Sequence, residues 1–344
     1  MRHLALVGVI GVLGVAVGGV SAAPVVITRD APDLDRWMYP FNSSSVGTRP
    51  GASCFGALGQ TELAGFTFDE RDAQVLVGFD LSADVPADLC RYRITQATVR
   101  IAVTTDGAFV YDPTIDARET YFGEAMLPGG VADGDAGRPI EMFGVGYRNG
   151  FDAGSFFETS SFGPMIAWRV RNAFATDYAS GVPRDVSNSL VDGLSVTAFA
   201  VGTTAAVSPG AAVPANTDFR FDLDVMNPDV DAYLRDAISG GKLRLAIASM
   251  FPAESGGGGG PGTGAYPTFY MKENIFGAGR RARLSLTIEP CIEGDVDCSG
   301  VVDVDDLNIV LSDWLGSGDG DANCDGITNV DDLNLVLGNW LAAG

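Results

Sequence analysis

The sequence predicts a large, mainly β domain, a jelly-roll-like β-sandwich with one helix, followed by a small all-α module of two loop–helix repeats. Three observations lead to this fold class. Runs that alternate apolar and polar residues recur as far as about residue 290. One capped helical segment lies among them, and a stretch of 21 residues near the end occurs in two similar copies. We expect the β-sandwich over residues 23–289, a hinge over 290–294 and the small module over 295–344.

The first 22 residues are predicted to be a secretory signal peptide. A basic start at residues 1–3 precedes an apolar run at residues 4–20, and small residues stand ahead of the expected cleavage before Ala23. An uncleaved membrane anchor is the alternative. Cleavage predicts a secreted protein, extracellular or at the cell surface, without membrane attachment. It also removes His3, the only histidine, and so excludes histidine-dependent catalysis and histidine metal sites.

Five alternating runs are predicted as strands of the sandwich, namely residues 73–81, 97–103, 194–201, 243–250 and 282–288. The glycine-rich run at residues 255–264 is predicted as a loop between two strands. The helix is predicted over Pro228–Ser239, with Asn227 as the N-cap and Gly240 after its end. Its expected apolar face is Val230, Tyr233, Leu234 and Ala237.

The five cysteines should mostly pair in an oxidising compartment. Cys54 and Cys90 are the candidate disulfide within the large domain. Among Cys291, Cys298 and Cys324, the pairs Cys291–Cys298 and Cys298–Cys324 both remain open.

The net charge of the chain distinguishes between nucleic acid and cations as possible partners. The net charge is −22, from 44 acidic and 22 basic residues, which disfavours nucleic acid and favours a bound cation. Between residues 284 and 344 there are 13 acidic residues and no Lys or Arg. This end of the chain either repels itself or is neutralised by cations.

The repeated pattern has the spacing of two twelve-residue calcium loops, with oxygen ligands at positions 1, 3, 5, 7, 9 and 12 and glycine at position 6. The second copy begins 26 residues after the first, and 12 of 21 aligned positions are identical. The candidate ligands of the first ion are Asp295, Asp297, Ser299, the carbonyl of Val301, Asp303 and Asp306. Those of the second are Asp321, Asn323, Asp325, the carbonyl of Ile327, Asn329 and Asp332. Two calcium ions are therefore predicted, and the neutral Ser299 predicts that the first is bound more weakly.

An apolar stripe with helical spacing follows each loop, and we expect the two helices to bury these stripes against each other. The stripes are Leu307, Val310, Leu311, Trp314 and Leu315, and Leu333, Val336, Leu337, Trp340 and Leu341. Val302 and Thr328 stand at position 8, where paired loops are expected to form a short backbone bridge.

These repeats resemble type I dockerin modules over about residues 294–341. Each loop ends in Asp, a helix follows but does not precede it, and the copies are 26 residues apart. The resemblance implies a calcium-dependent module that binds a cohesin domain and attaches its chain to machinery for extracellular polysaccharide degradation. It makes Val304, Asp305, Val330 and Asp331 the possible partner contacts.

The large domain resembles the secreted β-sandwich family called DNRLRE-like, which is related to carbohydrate-binding modules. The resemblance lies in VLVGFDL at residues 75–81, ITQATVRIAV at 94–103, DVDAYLRDAISGGKLRLAIAS at 229–249, and FYMKEN with RRARLSLTI within 269–288. It implies binding of a polysaccharide.

Three functions are weighed for the whole chain, and a non-catalytic attachment or binding component is favoured. The first alternative is a glycoside hydrolase, for which Glu119, Glu141, Asp152 and Glu158 are candidate carboxylates but no catalytic pair is identified. The second is a structural cell-surface protein without glycan activity. Sugar binding would use aromatic side chains, the candidates being Trp37, Tyr39, Tyr147, Phe156, Phe157 and Trp168.

Overall fold

A computed structural model describes residues 23–39, 49–57, 62–63, 66–67, 69–85, 91–121, 131–164, 170–253 and 266–343. The predicted signal peptide, the glycine-rich run at residues 255–264, Cys90 and Trp168 lie outside these ranges. Within the ranges, no helix is both long enough and apolar enough to cross a membrane.

The chain divides into two compact units. The larger, which we call the β unit, comprises Val25–Pro86 and Ile94–Ile288. The smaller, the tail unit, comprises Glu289–Gly344 together with Met1–Pro24 and Ala87–Arg93. Its described residues are 23–24, 91–93 and 289–343. A short segment far upstream in the sequence thus belongs with the end of the chain.

The described residues form fifteen strands. They are β1 (Val25–Arg29), β2 (Leu34–Met38), β3 (Gly51–Ser53), β4 (Glu62–Leu63), β5 (Phe66–Thr67), β6 (Gln74–Asp80), β7 (Tyr92–Ala102), β8 (Ile140–Tyr147), β9 (Ala173–Ala179), β10 (Val182–Asp185), β11 (Ala200–Val201), β12 (Asp218–Asp222), β13 (Lys242–Ser249), β14 (Thr268–Tyr270) and β15 (Arg283–Pro290).

Most of these strands belong to two main sheets, which confirms a mainly β, sandwich-like fold. One sheet has the order β1-β15-β7-β12, and the other has the order β10-β9-β8-β13-β6-β2, with β11 paired to β8. The ribbons β3–β14 and β4–β5 complete the strands of the described part. Neighbouring strands run antiparallel, as in β6 with β13 and β1 with β15.

The two sheets bury their side chains differently. In β15, Leu284, Leu286 and Ile288 are buried and alternate with partly exposed residues, so one face of that sheet is covered. In β6, β8 and β13 nearly every residue is buried, so the centre of the other sheet is covered on both faces. One of these faces packs against Phe156 and Phe162, which come from outside the strands.

Four of the five predicted strands are found, in β6, β7, β13 and β15. The prediction for residues 194–201 is wrong over most of its length, because only Ala200–Val201 is a strand. Val196 and Ala198 instead pack against the core from a segment without a strand partner. The apolar and polar residues alternate there because one side of the segment packs against the core. An extended loop can pack in this way as well as a strand.

The predicted helix is confirmed as α1 (Pro228–Ser239). The side chain of Asn227 accepts the amide of Asp229 at 3.0 Å and so caps its start. Tyr233 is buried, and its hydroxyl donates to the carbonyl of Arg244 at 2.6 Å in β13. Ile238 rather than Ala237 completes the buried face.

The cysteines pair differently from the expectation for the large domain. Cys54 is a free thiol that is fully buried, so the predicted Cys54–Cys90 disulfide is wrong. A buried thiol packs as a small apolar side chain, and burial raises its pKa well above the usual range. Cys291 and Cys298 form a disulfide, and Cys324 is disulfide-bonded as well, which excludes the pair Cys298–Cys324.

In the tail unit, one helix follows each loop: α2 (Val304–Ser312) and α3 (Val330–Gly338). Each begins at position 10 of its loop, so the loop and the helix share the residues that cap the helix.

Candidate metal centre

The two tail loops have the same backbone conformation. Gly300 and Gly326 have φ angles of 95° and 96°, in the left-handed region that favours glycine. Two positions earlier, Cys298 and Cys324 have φ angles of 56° and 55°. The duplication in sequence is therefore a duplication in conformation, and each loop turns sharply at its predicted glycine.

The first aspartate of each loop holds this turn closed. Asp295 accepts the amide of Ser299 at 3.0 Å through Oδ1 and the amide of Gly300 at 2.9 Å through Oδ2. Asp321 accepts the two equivalent amides at 3.1 and 2.8 Å. Both carboxylates are buried, so each brings charge into the centre of its loop.

The last aspartate of each loop joins the loop to the following helix. Asp306 accepts the amide of Val296 at 2.6 Å and that of Asp303 at 2.8 Å, which completes a capping box. Asp332 accepts the amide of Asn329 at 2.8 Å in the same way. Asp306 and Asp332 are fully buried. The residue that would bind the ion at position 12 therefore also fixes where the helix begins.

Carboxylates meet in the first loop. Oxygen atoms of Asp295, Asp297 and Asp306 lie within 4.8 Å of one another. Burial, together with these neighbouring carboxylates, raises the pKa of Asp295 to about 6. A cation would relieve this repulsion, and an all-oxygen donor set fits calcium. In the second loop, Asn323 places an amide oxygen where the first loop has Asp297.

The other predicted ligands lie next to one another along each loop. The hydroxyl of Ser299 donates to the carbonyl of Val301 at 3.2 Å, which joins positions 5 and 7. The side chain of Asn329 donates to the carbonyl of Ile327 at 3.2 Å, which joins positions 9 and 7. Asp303 accepts the amide of its own helix at Asp305 at 2.8 Å. Hydrogen bonds thus link neighbouring predicted ligand positions in both loops, and three carboxylates meet in the first.

The expected backbone bridge at position 8 is wrong in its partners. The amide of Val302 donates to Ala342 at 3.0 Å, and its carbonyl accepts from Leu341 at 2.9 Å. The amide of Thr328 donates to Gly316 at 2.7 Å. Each loop therefore pairs with the segment that follows the helix of the other repeat, not with the other loop.

The expectation that both apolar stripes are buried is only half correct. The core of the tail unit is formed by Val296, Val302, Val310 and Val336, with Leu307 and Leu333 packed against it in part. The outer members of the stripes are exposed, namely Leu311, Trp314 and Leu315, and Leu337, Trp340 and Leu341. The helices end at Ser312 and Gly338, so the tryptophans and leucines after them no longer follow the helical face, and within the helices only one narrow line of side chains is buried.

The four possible partner contacts are at the surface. Val304 and Val330 begin the two helices and are more than half exposed, at 54% and 53%. Asp305 and Asp331 follow them and are exposed too. All four remain accessible to a second protein within this unit.

Sequence reasoning missed Arg91. Its guanidinium donates to the carbonyl of Val296, in the first loop, at 2.7 Å and to that of Asp321, at the start of the second, at 3.0 Å. It also donates to the carbonyl of Asp319. One cation from a distant segment therefore holds the two loops together. No local signal marks it, because the tail itself contains no basic residue.

A pocket of about 390 Å³ opens beside the first loop. Asp295, Ser299 and Gly300 line it together with Arg93 and Glu289. Arg93 and Glu289 form an ion pair at 2.9 Å. A charged pair thus stands beside the ligand at position 1.

The candidate hydrolytic carboxylates of the β unit have four different environments. Glu141 is buried and accepts from Arg71 at 2.8 Å, which marks it as a structural ion pair. Asp152 accepts the amides of Gly154 and Ser155 in a surface turn. Glu119 is exposed. Glu158 lies near Asp35 and Glu273, a different acidic group.

The candidate sugar-binding aromatics mostly pack inside the β unit. Tyr39 and Phe156 are buried, and Tyr147 packs against the core. Trp37 stacks on Tyr39 with ring centroids 4.8 Å apart and donates to the carbonyl of Ser53 at 2.7 Å. Phe157 is the candidate that is clearly exposed among those described.

No family model matches the chain, and no curated protein matches it.

Proposed function

We propose that the tail unit is a dockerin-type module that binds two calcium ions, and that it attaches a secreted, non-catalytic chain to a partner with a cohesin-like domain. The β unit then serves extracellular polysaccharide degradation as a binding component. The observation that carries this proposal is the repetition of the loop itself. The buried first aspartate, the glycine turn and the capping aspartate recur at the same three positions of both copies.

Calcium is supported by the kind of donors and by their burial. The first loop offers carboxylate, hydroxyl and backbone carbonyl oxygens, and the second offers carboxylate, side-chain amide and backbone carbonyl oxygens. All of these are ligands for a hard cation. In the first loop three carboxylates lie within 4.8 Å of one another. Bringing such charges together without a counter-ion is unfavourable, so a divalent ion stabilises the folded loop.

The large apolar side chains that are exposed on the tail unit support a protein partner. Leu315 and Leu341 are 70% and 71% exposed, and Trp314 and Trp340 lie beside them. Large apolar side chains grouped on a small unit are typical of a binding surface. Because the two groups occupy equivalent places in the two repeats, the partner can bind in either of two orientations.

A binding role for the β unit is favoured over glycoside hydrolysis. Hydrolysis needs two carboxylates facing one substrate across a cleft. Glu141 is instead neutralised by Arg71, and Asp152 is used within its own turn. The glycan target would be a polysaccharide, and a glycan array with a parallel hydrolysis assay separates binding from cleavage and from a purely structural role.

Calcium titration of the chelator-treated full chain by calorimetry tests the tail. We expect calcium-dependent heat, and Asp295→Ala combined with Asp321→Ala should remove the part of it that the two tail ions contribute. Immobilised cohesin domains should then retain the wild-type chain with calcium and release it with chelator. Absence of calcium-dependent heat would refute the whole proposal, whereas heat without retention would refute the partner and leave calcium binding in place.

A further inference from the structure

A second acidic group lies in the β unit, far along the chain from the tail loops. Asp35 is in β2, Glu158 lies between β8 and β9, and Glu273 follows β14. One carboxylate oxygen from each lies within 4.8 Å of the other two. Three remote segments therefore bring like charges to one point, which requires a compensating interaction.

Two of these carboxylates have a buried oxygen without a partner. Asp35 is 1% exposed. Its Oδ2 accepts the amide of Lys272 at 2.5 Å, but its Oδ1 is buried and has no hydrogen-bond partner. Oε2 of Glu273 is likewise buried and has no hydrogen-bond partner. Burial, aided by the charge of Glu273, raises the pKa of the Asp35 carboxyl to about 7. A buried acceptor without a donor is costly, so each of these oxygens calls for an interacting partner.

The neighbouring cations compensate only part of the charge. Lys272 pairs with Glu158 and donates to the carbonyl of Asp33 at 2.9 Å. Arg36 donates to the carbonyls of Phe157 and Glu158 at 3.1 Å each, so it holds the backbone of that segment. Three carboxylates, the ammonium of Lys272 and the guanidinium of Arg36 leave a formal charge of −1 (−3 + 2).

We propose that Asp35, Glu158 and Glu273 bind a third divalent cation, of the calcium class, inside the β unit. Carboxylate oxygens without histidine or cysteine are ligands for a hard cation. The two unpartnered oxygens supply ligand atoms, and the negative charge that remains after Lys272 and Arg36 are counted favours a cation. The ion joins β2 to the segments that carry Glu158 and Glu273, so it stabilises the β unit independently of the tail.

Another acidic group serves as an internal comparison. Asp112, Asp116 and Asp135 also lie close together, and Oδ2 of Asp112 is buried without a partner. There, however, Asp116 pairs with Arg138 at 2.7 Å and Asp135 is exposed. The group at Asp35 has two buried oxygens without partners, and this one has a single such oxygen, so the ion is assigned to Asp35.

Metal analysis of the full chain after dialysis against calcium tests the assignment. The background is the variant Asp295→Ala with Asp321→Ala, in which the tail loops are disabled. We expect this variant to keep one calcium per chain and to melt at a higher temperature with calcium than with chelator. Adding Asp35→Asn and Glu273→Gln, which keep side-chain size, should remove both the ion and the shift in melting temperature.

Control variants in the same background are Asp112→Asn, for the comparison group, and Glu119→Gln, at an exposed carboxylate; both should keep the ion. Circular dichroism in chelator should show that the Asp35→Asn and Glu273→Gln variant is folded. The proposal is overturned if the tail-disabled variant binds no calcium, if its ion survives Asp35→Asn with Glu273→Gln, or if Asp112→Asn removes it. A folded Asp35→Asn variant that is stabilised in chelator and indifferent to calcium would mean that Asp35 holds a proton instead.

Discussion

The amide of Val302 donates to the carbonyl of Ala342 at 3.0 Å, so the first loop is closed by the segment behind the second helix. The amide of Thr328 makes the reciprocal bond to Gly316 at 2.7 Å, behind the first helix. Neither repeat completes its own loop. We therefore expect the calcium affinities of the two loops to be coupled, so that a change in one repeat alters calcium binding in the other.

Truncation after Leu341 should weaken the first calcium site, because it removes the carbonyl that accepts from Val302. One hydrogen bond contributes about 1 kcal/mol, so the affinity should fall by roughly fivefold. Calorimetric titration of the shortened chain measures this. Truncation after Ala343 is the control, since it keeps this bond and the pairing of Ala343 with Val301 and should leave both affinities unchanged; an equal loss there would contradict the assigned role.

Asp306→Ala should destabilise the tail even without calcium. The change removes a cap of α2 and leaves the buried amides of Val296 and Asp303 without an acceptor. Losing a cap alone costs about 1 kcal/mol, and unpaired buried amides add to it. Chemical unfolding in chelator measures the loss. Asp305→Ala, at an exposed neighbour, should have little effect, and similar curves for the two variants would argue against the capping role.

Arg91→Met should weaken both calcium sites together. It removes the donors that hold the carbonyls of Val296 and Asp321, and hydrogen bonds from a charged group contribute about 1.5–3 kcal/mol. The affinity should fall about tenfold or more. Arg91→Lys keeps the charge but loses the fork of donors, so it should also weaken binding. Arg93→Met removes a nearby charge without touching these carbonyls, so it should leave calcium affinity unchanged. If Arg93→Met alone weakened calcium binding, the charge of the segment rather than the positioning of the carbonyls would be responsible.

Peptide mapping without reduction should recover Cys291 joined to Cys298, with Cys54 as an unmodified thiol. Because Cys54 is fully buried, iodoacetamide should label it in denaturant and not in buffer. Cys54→Ala should unfold at slightly lower denaturant, and Cys54→Ser should cost more, since it buries a hydroxyl among apolar atoms. Rapid labelling of the folded chain would contradict the buried position.

Single changes in the exposed apolar groups should be tolerated by the proposed partner, because the repeats present equivalent surfaces. Trp314→Ala or Trp340→Ala alone should retain most binding to a cohesin domain, whereas the double variant should lose at least tenfold. Both side chains are about 40% exposed, so folding should change little. Surface plasmon resonance with calcium measures this, and complete loss from one single variant would rule out two equivalent orientations.

Sequence patterns predicted the elements whose causes are local. The helix Pro228–Ser239 has its cap and its stop within its own residues, and each loop has its glycine at the turn. In the first loop, three of the carboxylates that the spacing predicts as ligands also lie close together. Such features depend on neighbours in the chain, so a single sequence contains them.

The sequence patterns missed, or predicted wrongly, the features that depend on distant residues. Nothing near Cys54 shows that its side chain is enclosed in a core, and nothing near the tail points to Arg91. The group at Asp35, Glu158 and Glu273 exists only because three remote segments meet. The helical spacing predicted for the tail stripes holds only as far as Ser312 and Gly338, where the helices end, and the stripe residues beyond them are exposed.

Arg91 also breaks the symmetry of the tail. Tandem copying of 26 residues doubles the loop and the helix, but one guanidinium serves both copies and has no twin. A gene fragment that carries only the doubled stretch would transfer two ion loops without the residue that joins them. Arg91 and the two loops that it joins therefore lie on separate stretches of chain, and a graft onto another protein must carry both.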